Sequence, residues 1–153
     1  MDLSGDLLGA WQIAARLDLF LLSALSDAQM GVKVEKSKSV AAHFSHIHNV
    51  RLMWVKSAAP ELMKGLEKLE DGATKKQIAS ALEKSGRAIE TLITAALDSE
   101  KSVKGFKPTA TAFVCYLASH EAFHRAQIEL SLRQAGMPID DKTAYGLWEW
   151  GVR

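Results

Sequence analysis

The residues of this chain best suited to chemistry are its histidines, which fall into two groups. His43, His46 and His48 lie close together, and His120 and His124 form a pair four residues apart. Side chains four apart on an α-helix project from the same face, so the pair has the geometry of two ligands for one ion. Neutral imidazole binds zinc and related divalent metals. The histidines therefore predict a metal site where two helices face each other.

The position of each histidine around its helix ranks the candidates for a third ligand. A step of about 100° per residue places His120 and His124 inside or beside an apolar stripe. On the other helix, the apolar stripe runs through Val40, Ile47, Val50 and Trp54. His43 lies nearest the centre of that stripe, His46 lies on its flank, and His48 falls outside it. Helical periodicity alone thus favours His43 first and His46 second.

A second interpretation of the pair is a zinc protease, because residues 120–124 read HEAFH and match H-E-x-x-H. Gln127 and Leu130 stand where the extended protease motif has Gly and His. Glu121, the general base of that motif, lies about 100° around the helix from His120. The protease is therefore a minor alternative, and we interpret Glu121 as a solvated charge.

Composition excludes several other classes of function. The 153 residues include 19 Lys and Arg against 18 Asp and Glu, a net charge of +1 that gives no field for nucleic acid or anionic lipid. The single cysteine, Cys115, excludes internal disulfides and thiolate metal clusters and fits a reducing cytoplasm. We interpret it as a small buried side chain opposite the histidines. The acidic N-terminus is unlike a secretory signal, and no apolar run is expected to approach a membrane span.

Four long amphipathic segments must position the histidines, and we expect helices at about 4–28, 39–58, Lys75–Asp98 and 110–135. Ser37 or Ser39, Thr74, and Thr109 or Thr111 are the expected caps. Pro60 ends the second helix, and a short helix at 61–69 crosses to the third. The chain carries no strand-like alternation, so the fold class is all-α. We predict one domain, 1–153, a four-helix bundle in up-down-down-up order, with a short helix or hook at 140–153.

Two stretches of the chain resemble the DinB/YfiT-like family. Residues 120–130, HEAFHRAQIEL, are similar to the H-x-x-x-H-R-G-Q-I pattern of its last bundle helix, and residues 45–54, SHIHNVRLMW, resemble its second helix. Ala126 stands where the family usually has Gly. The resemblance implies a four-helix bundle, often a homodimer, that binds a divalent metal such as Zn²⁺ or Ni²⁺. It maps the ligands to His46, His120 and His124, and so prefers His46 where periodicity prefers His43.

The same resemblance implies a range of functions. Some members use a metal-bound low-molecular-weight thiol, such as mycothiol or bacillithiol, in S-transfer or isomerisation, and others are described as metal-dependent hydrolases. We therefore expect a metal-dependent transferase or hydrolase acting on a small molecule in the cytoplasm, with no nucleic-acid or membrane partner. The alternatives are a metal-binding module without turnover and a metal-free helical interaction domain. No catalytic residue is assigned.

Three polar side chains of the last long helix are candidates to support the ligands: Tyr116, Gln127 and Ser131. They lie within about half a face of the histidine pair. Trp148 and Trp150 near the C-terminus are expected to pack against the bundle, with a dimer contact or a lid as alternatives.

Overall fold

The computed structural model describes residues 2–152, and all regular secondary structure in this range is helical. The helices are α1 (Leu3–Ala24), α2 (Asp27–Met30), α3 (Val40–Ala58), α4 (Lys75–Asp98), α5 (Ala110–Gln134) and α6 (Asp141–Gly146). Two 3₁₀ turns occupy Pro60–Met63 and Trp150–Val152. No strand is present among residues 2–152, so the all-α prediction is confirmed. The predicted domain, 1–153, includes Met1 and Arg153, which lie outside the described residues.

Two apolar clusters fill the bundle and reveal the direction of each long helix. The lower cluster joins the end of α1, the start of α3, the start of α4 and the end of α5, through Leu21, Phe44, Ile78 and Leu132. The upper cluster joins the opposite ends of the same helices, through Trp11, Val55, Ile89 and Phe113. Helices α1 and α5 therefore run one way and α3 and α4 the other. This is the predicted up-down-down-up order.

Capping residues account for the helix boundaries that periodicity predicted well. Thr74 and Gln77 bond reciprocally in a capping box, and α4 begins at Lys75 as expected. Ser39 accepts the Ala42 backbone N–H at the start of α3, and Thr109 caps α5 in the same way. Each hydroxyl satisfies a backbone N–H that has no partner inside the helix.

Two predicted helices are shorter in the structure. The first ends at Ala24 rather than 28, because Leu25 is extended and Ser26 opens the separate short helix α2 with its own capping box. The crossing helix predicted at 61–69 is only the Pro60–Met63 turn, and Gly65 follows it at a φ of 75°. The amide of Asn49 on α3 then bonds both the N–H and the carbonyl of Leu69. These side-chain bonds hold the crossing segment to α3 without a helix.

An ion network lies buried between the two apolar clusters. The Arg51 guanidinium donates to both Glu121 oxygens at 2.7 and 2.9 Å, to Asp18 at 2.9 Å and to the Leu82 carbonyl at 3.0 Å. Arg125 donates to the second Asp18 oxygen. Asp18, Arg51 and Glu121 are each at most 1% exposed. Through these bonds one set of charges joins all four long helices.

Helix α1 is the one described helix long and apolar enough, by length and composition, to cross a membrane. The expectation that no segment approaches a membrane span is wrong for α1 by this measure. In the structure its Trp11, Asp18 and Leu21 side chains are buried in the bundle. A helix that packs one face into a bundle core needs apolar residues along that face, and a third of the apolar window of α1 is buried.

The C-terminal segment differs from its prediction in one respect. It forms α6 and a 3₁₀ turn, and Leu147 packs on the lower cluster, as expected of a short helix or hook. Trp148, however, is 82% exposed and Trp150 is 43% exposed. The expectation that both tryptophans pack on the bundle is therefore wrong, since both are exposed. Leu147, beside Trp148, takes the inward position instead.

Replacing Arg51 with Met should destabilise the protein by about 3–5 kcal/mol, because Asp18 and Glu121 would keep buried charge without their shared partner. Urea denaturation measures the change. The control is Lys68→Met, which removes an exposed ion pair with Glu70 at 3.3 Å and should change stability by no more than about 1 kcal/mol. Equal, small losses in both variants would contradict this role for Arg51.

Candidate metal centre

The structure brings together three histidines from two antiparallel helices. His46 lies on α3, and His120 and His124 lie one turn apart on α5. One ring nitrogen from each falls within 4.8 Å of the others. The Nε2 atoms of His120 and His124 are 3.2 Å apart. Two nitrogens bound tetrahedrally at 2.0–2.1 Å from zinc would be about 3.3 Å apart, so this pair is already spaced for one ion.

His43 joins the same group from behind His124. Its Nδ1 lies 2.9 Å from the Nδ1 of His124, with the ring centroids 5.2 Å apart. His43 is 5% exposed, so periodicity correctly placed it on the inward face. The ligand-like group nevertheless contains His46 rather than His43. Periodicity thus identified the more buried histidine, His43, and the family resemblance identified His46, which lies with the pair.

His48 lies away from this group but is not exposed as its position outside the stripe suggested. It is 1% exposed, and its Nε2 lies 2.9 Å from the Glu67 carbonyl, to which it donates. The crossing segment covers this side of α3 and buries the ring. Helical periodicity within α3 could not show that a loop would cover its outer flank.

Glu121 is not the solvated charge that the sequence predicted. It is fully buried rather than solvated, and both its oxygens bond Arg51. Burial raises the pKa of its carboxyl, and the Arg51 guanidinium opposes that rise. Because these bonds hold Glu121 in the core, the match to H-E-x-x-H does not place a general base beside the histidines.

A signal for this burial was present in the sequence. Glu121 follows Leu117 by four residues and precedes Ile128 by seven, which puts it on the apolar stripe of α5. Arg51 follows Ile47 by four in the same way. A charged residue on a buried stripe requires a partner of opposite charge, and these two positions supply one another.

Aromatic rings form the walls of the site. Tyr116 stacks on His120 at 6.2 Å and 23°, so it is placed beside the ligands as a supporting residue was expected to be. Phe123 meets His124 edge-on at 5.4 Å and is 58% exposed. Ser131 is buried and Gln127 is half-buried. Cys115 is exposed, which overturns its interpretation as a buried hydrophobe, because α5 turns that side to solvent.

The electrostatics of the site favour neutral imidazoles. Burial lowers the pKa of His43, His46 and His120. It lowers that of His124 to about 3, and repulsion from the three neighbouring histidines adds to the effect. The charge of Lys38, an exposed side chain just before α3, also lowers the pKa of His43, His46 and His124. Unprotonated nitrogen is the form that binds a metal, so this donor set fits a divalent ion.

The sequence matches the DinB family over residues 1–149. This chain belongs to the DinB family. Comparisons with curated proteins and with solved structures found no match. Membership and the histidine cluster together fit a DinB-like metal-binding protein. The buried Glu121 and Arg125 each directly follow a histidine of the pair.

Metal-free protein should lose stability as the pH falls below about 6.5, the pKa of an unfolded histidine. The folded-state pKa values lie lower, so the unfolded chain takes up protons first and is favoured as the pH falls. Free energies of unfolding at pH 7.5, 6.5 and 5.5 measure the effect. His124→Asn should flatten the dependence. Equal slopes of unfolding free energy against pH in wild type and His124→Asn would contradict this role of the buried histidines.

Proposed function

We propose that this DinB-family chain binds one divalent ion, Zn²⁺ or Ni²⁺, through His46, His120 and His124. The observation that carries the proposal is the convergence of three ring nitrogens, within 4.8 Å of one another, from two helices. The lowered pKa of each ring supports it, because each is then neutral at pH 7. Three histidines leave at least one position of a tetrahedral zinc open, as in catalytic rather than structural sites.

We further propose that the open position takes a thiolate or a water, in a thiol-dependent transferase or a hydrolase. A bound ion would lower the pKa of such a group and supply a nucleophile near neutral pH. His46 and His120 are only partly buried, so a small molecule can reach their side of the site. Tyr116 and the exposed Phe123 offer apolar walls to that molecule.

The charge of Lys38 favours an anionic ligand at this site. After burial, the positive charge of Lys38 is a further cause of the lowered pKa of His43, His46 and His124. The same field that disfavours protonated imidazole attracts a thiolate or carboxylate. This supports a thiolate as the ligand of the open position.

Protein prepared without a histidine tag should bind one equivalent of Zn²⁺, measured by competition with a chromophoric chelator. His46→Ala and His120→Ala should each weaken binding by more than the roughly 10–100-fold cost of losing an outer partner of a ligand. The control is His48→Gln on α3, whose ring contacts the Glu67 carbonyl instead and which should bind zinc like wild type. Equal affinity in wild type and His120→Ala would refute the site, and equal affinity in His46→Ala would refute the third ligand.

Adding bacillithiol to the cobalt-substituted protein should change its visible absorption as a thiolate enters the open position. Lys38→Gln should raise the thiol concentration at half-saturation by up to about fivefold, since unit charges 4 Å apart in water attract by about 1 kcal/mol. Lys36→Gln, another exposed lysine of the same connection, is the matched control. A spectrum unchanged by the thiol would contradict the thiol-dependent function.

A further inference from the structure

The contact between His43 and His124 involves the nitrogen that His124 does not direct toward His120. His124 has Nε2 at 3.2 Å from His120 and Nδ1 at 2.9 Å from the Nδ1 of His43. Both of its nitrogens are therefore engaged, one toward the proposed ion and one toward α3. The inference below rests on the proposed metal site.

The chemistry of neutral imidazole allows one direction for this hydrogen bond when a metal is bound. A neutral ring carries one N–H, and the other nitrogen holds the lone pair that binds an ion. If His124 binds through Nε2, its proton is on Nδ1, and it donates to the Nδ1 lone pair of His43. The proton of His43 is then on Nε2. The reverse bond would leave a proton on His124 Nε2 and block the ligand.

Burial of the His43 ring costs free energy of folding, so a contribution to stability does not explain a histidine at this position. Its Nε2 is buried and has no hydrogen-bond partner within residues 2–152. A buried polar atom left unpaired typically costs about 1–3 kcal/mol, whereas an apolar side chain of similar size avoids that cost. His43 is itself buried, and Phe44 and Ile47 of the same helix are fully buried in the lower cluster. A leucine at position 43 would suit this core.

We propose that His43 is a positioning residue for the metal centre, accepting the Nδ1–H of His124 and so fixing the tautomer and orientation in which His124 Nε2 faces the ion. Ligand histidines usually donate this second N–H to a carboxylate, a carbonyl or water. Here a fourth imidazole takes that place. Its lone pair is uncharged, so the site gains orientation without a further negative charge.

Three substitutions of His43 test the proposal by the atom that each retains. In His43→Asn the amide oxygen reaches the place of Nδ1 and can accept the same proton. In His43→Gln the amide reaches the place of Nε2, and His43→Leu has no acceptor. We expect His43→Leu and His43→Gln to weaken Zn²⁺ binding about 10–100-fold, with His43→Asn within a few-fold of wild type. His48→Leu, another buried histidine on α3, should leave zinc affinity unchanged.

Two further readouts separate positioning from a structural role. Urea denaturation of the metal-free proteins should show similar stability for His43→Leu and wild type, because removal of the unpaired Nε2 offsets the loss of the acceptor for His124, although His43→Leu binds zinc more weakly. In the zinc-bound protein, nitrogen-15 NMR of the imidazoles should show His124 protonated on Nδ1 and His43 on Nε2. The His124 Nδ1–H signal should weaken through solvent exchange in His43→Leu and persist in His43→Asn.

Different outcomes overturn different claims. Zinc affinity of His43→Leu equal to wild type overturns the positioning role and leaves the metal site intact. Affinity of His43→Asn as weak as that of His43→Leu overturns the acceptor role of Nδ1. A wild-type protein that binds zinc no better than His120→Ala overturns the metal site itself, and the role of His43 with it.

Discussion

Two arginines and two carboxylates are buried at the level where the four long helices meet, and the rest of the bundle is arranged around them. Arg51 contributes bonds to α1, α4 and α5 at once, and Arg125 adds a second link from α5 to α1. Buried charges are tolerated only when paired in good geometry. A shift of α1, α3 or α5 by a turn would break an ion pair, and a shift of α4 would break the bond to the Leu82 carbonyl, so the network fixes the relative heights of the helices.

That constraint reaches the candidate metal centre through α5. Glu121 and Arg125 belong to the network, and each directly follows a histidine of the pair. Neighbouring residues on a helix are about 100° apart, so the charges point into the core while His120 and His124 turn toward α3. Because Arg51 anchors α3 to the same charges, the height of His46 opposite the pair is set by the same bonds. The network thus sets the heights of the three histidines of the candidate metal centre through the helices that carry them.

The sequence predicted the parts of this arrangement that depend on one helix at a time. Periodicity and caps located the long helices, and the boundaries of α4 follow from the capping box at Thr74. Spacing alone identified His120 and His124 as a pair on one face. Periodicity ranked His43 above His46 because both lie near the inward side of α3, and only the family resemblance preferred His46, the histidine that lies with the pair. The burial of Glu121 was open to prediction from its place on the α5 stripe, but its partner was not, because Arg51 is 70 residues away.

Sequence by itself determined the fold class, the four long helices, the order of the bundle and the family resemblance, because these depend on local periodicity, caps and short motifs. Only the tertiary structure decided which histidine ring nitrogens lie next to each other. It placed His46 with the α5 pair and set His43 against the far side of His124. It also covered His48 with the crossing segment and turned Cys115 to solvent. These outcomes depend on contacts between distant segments, which no pattern within a single helix contains.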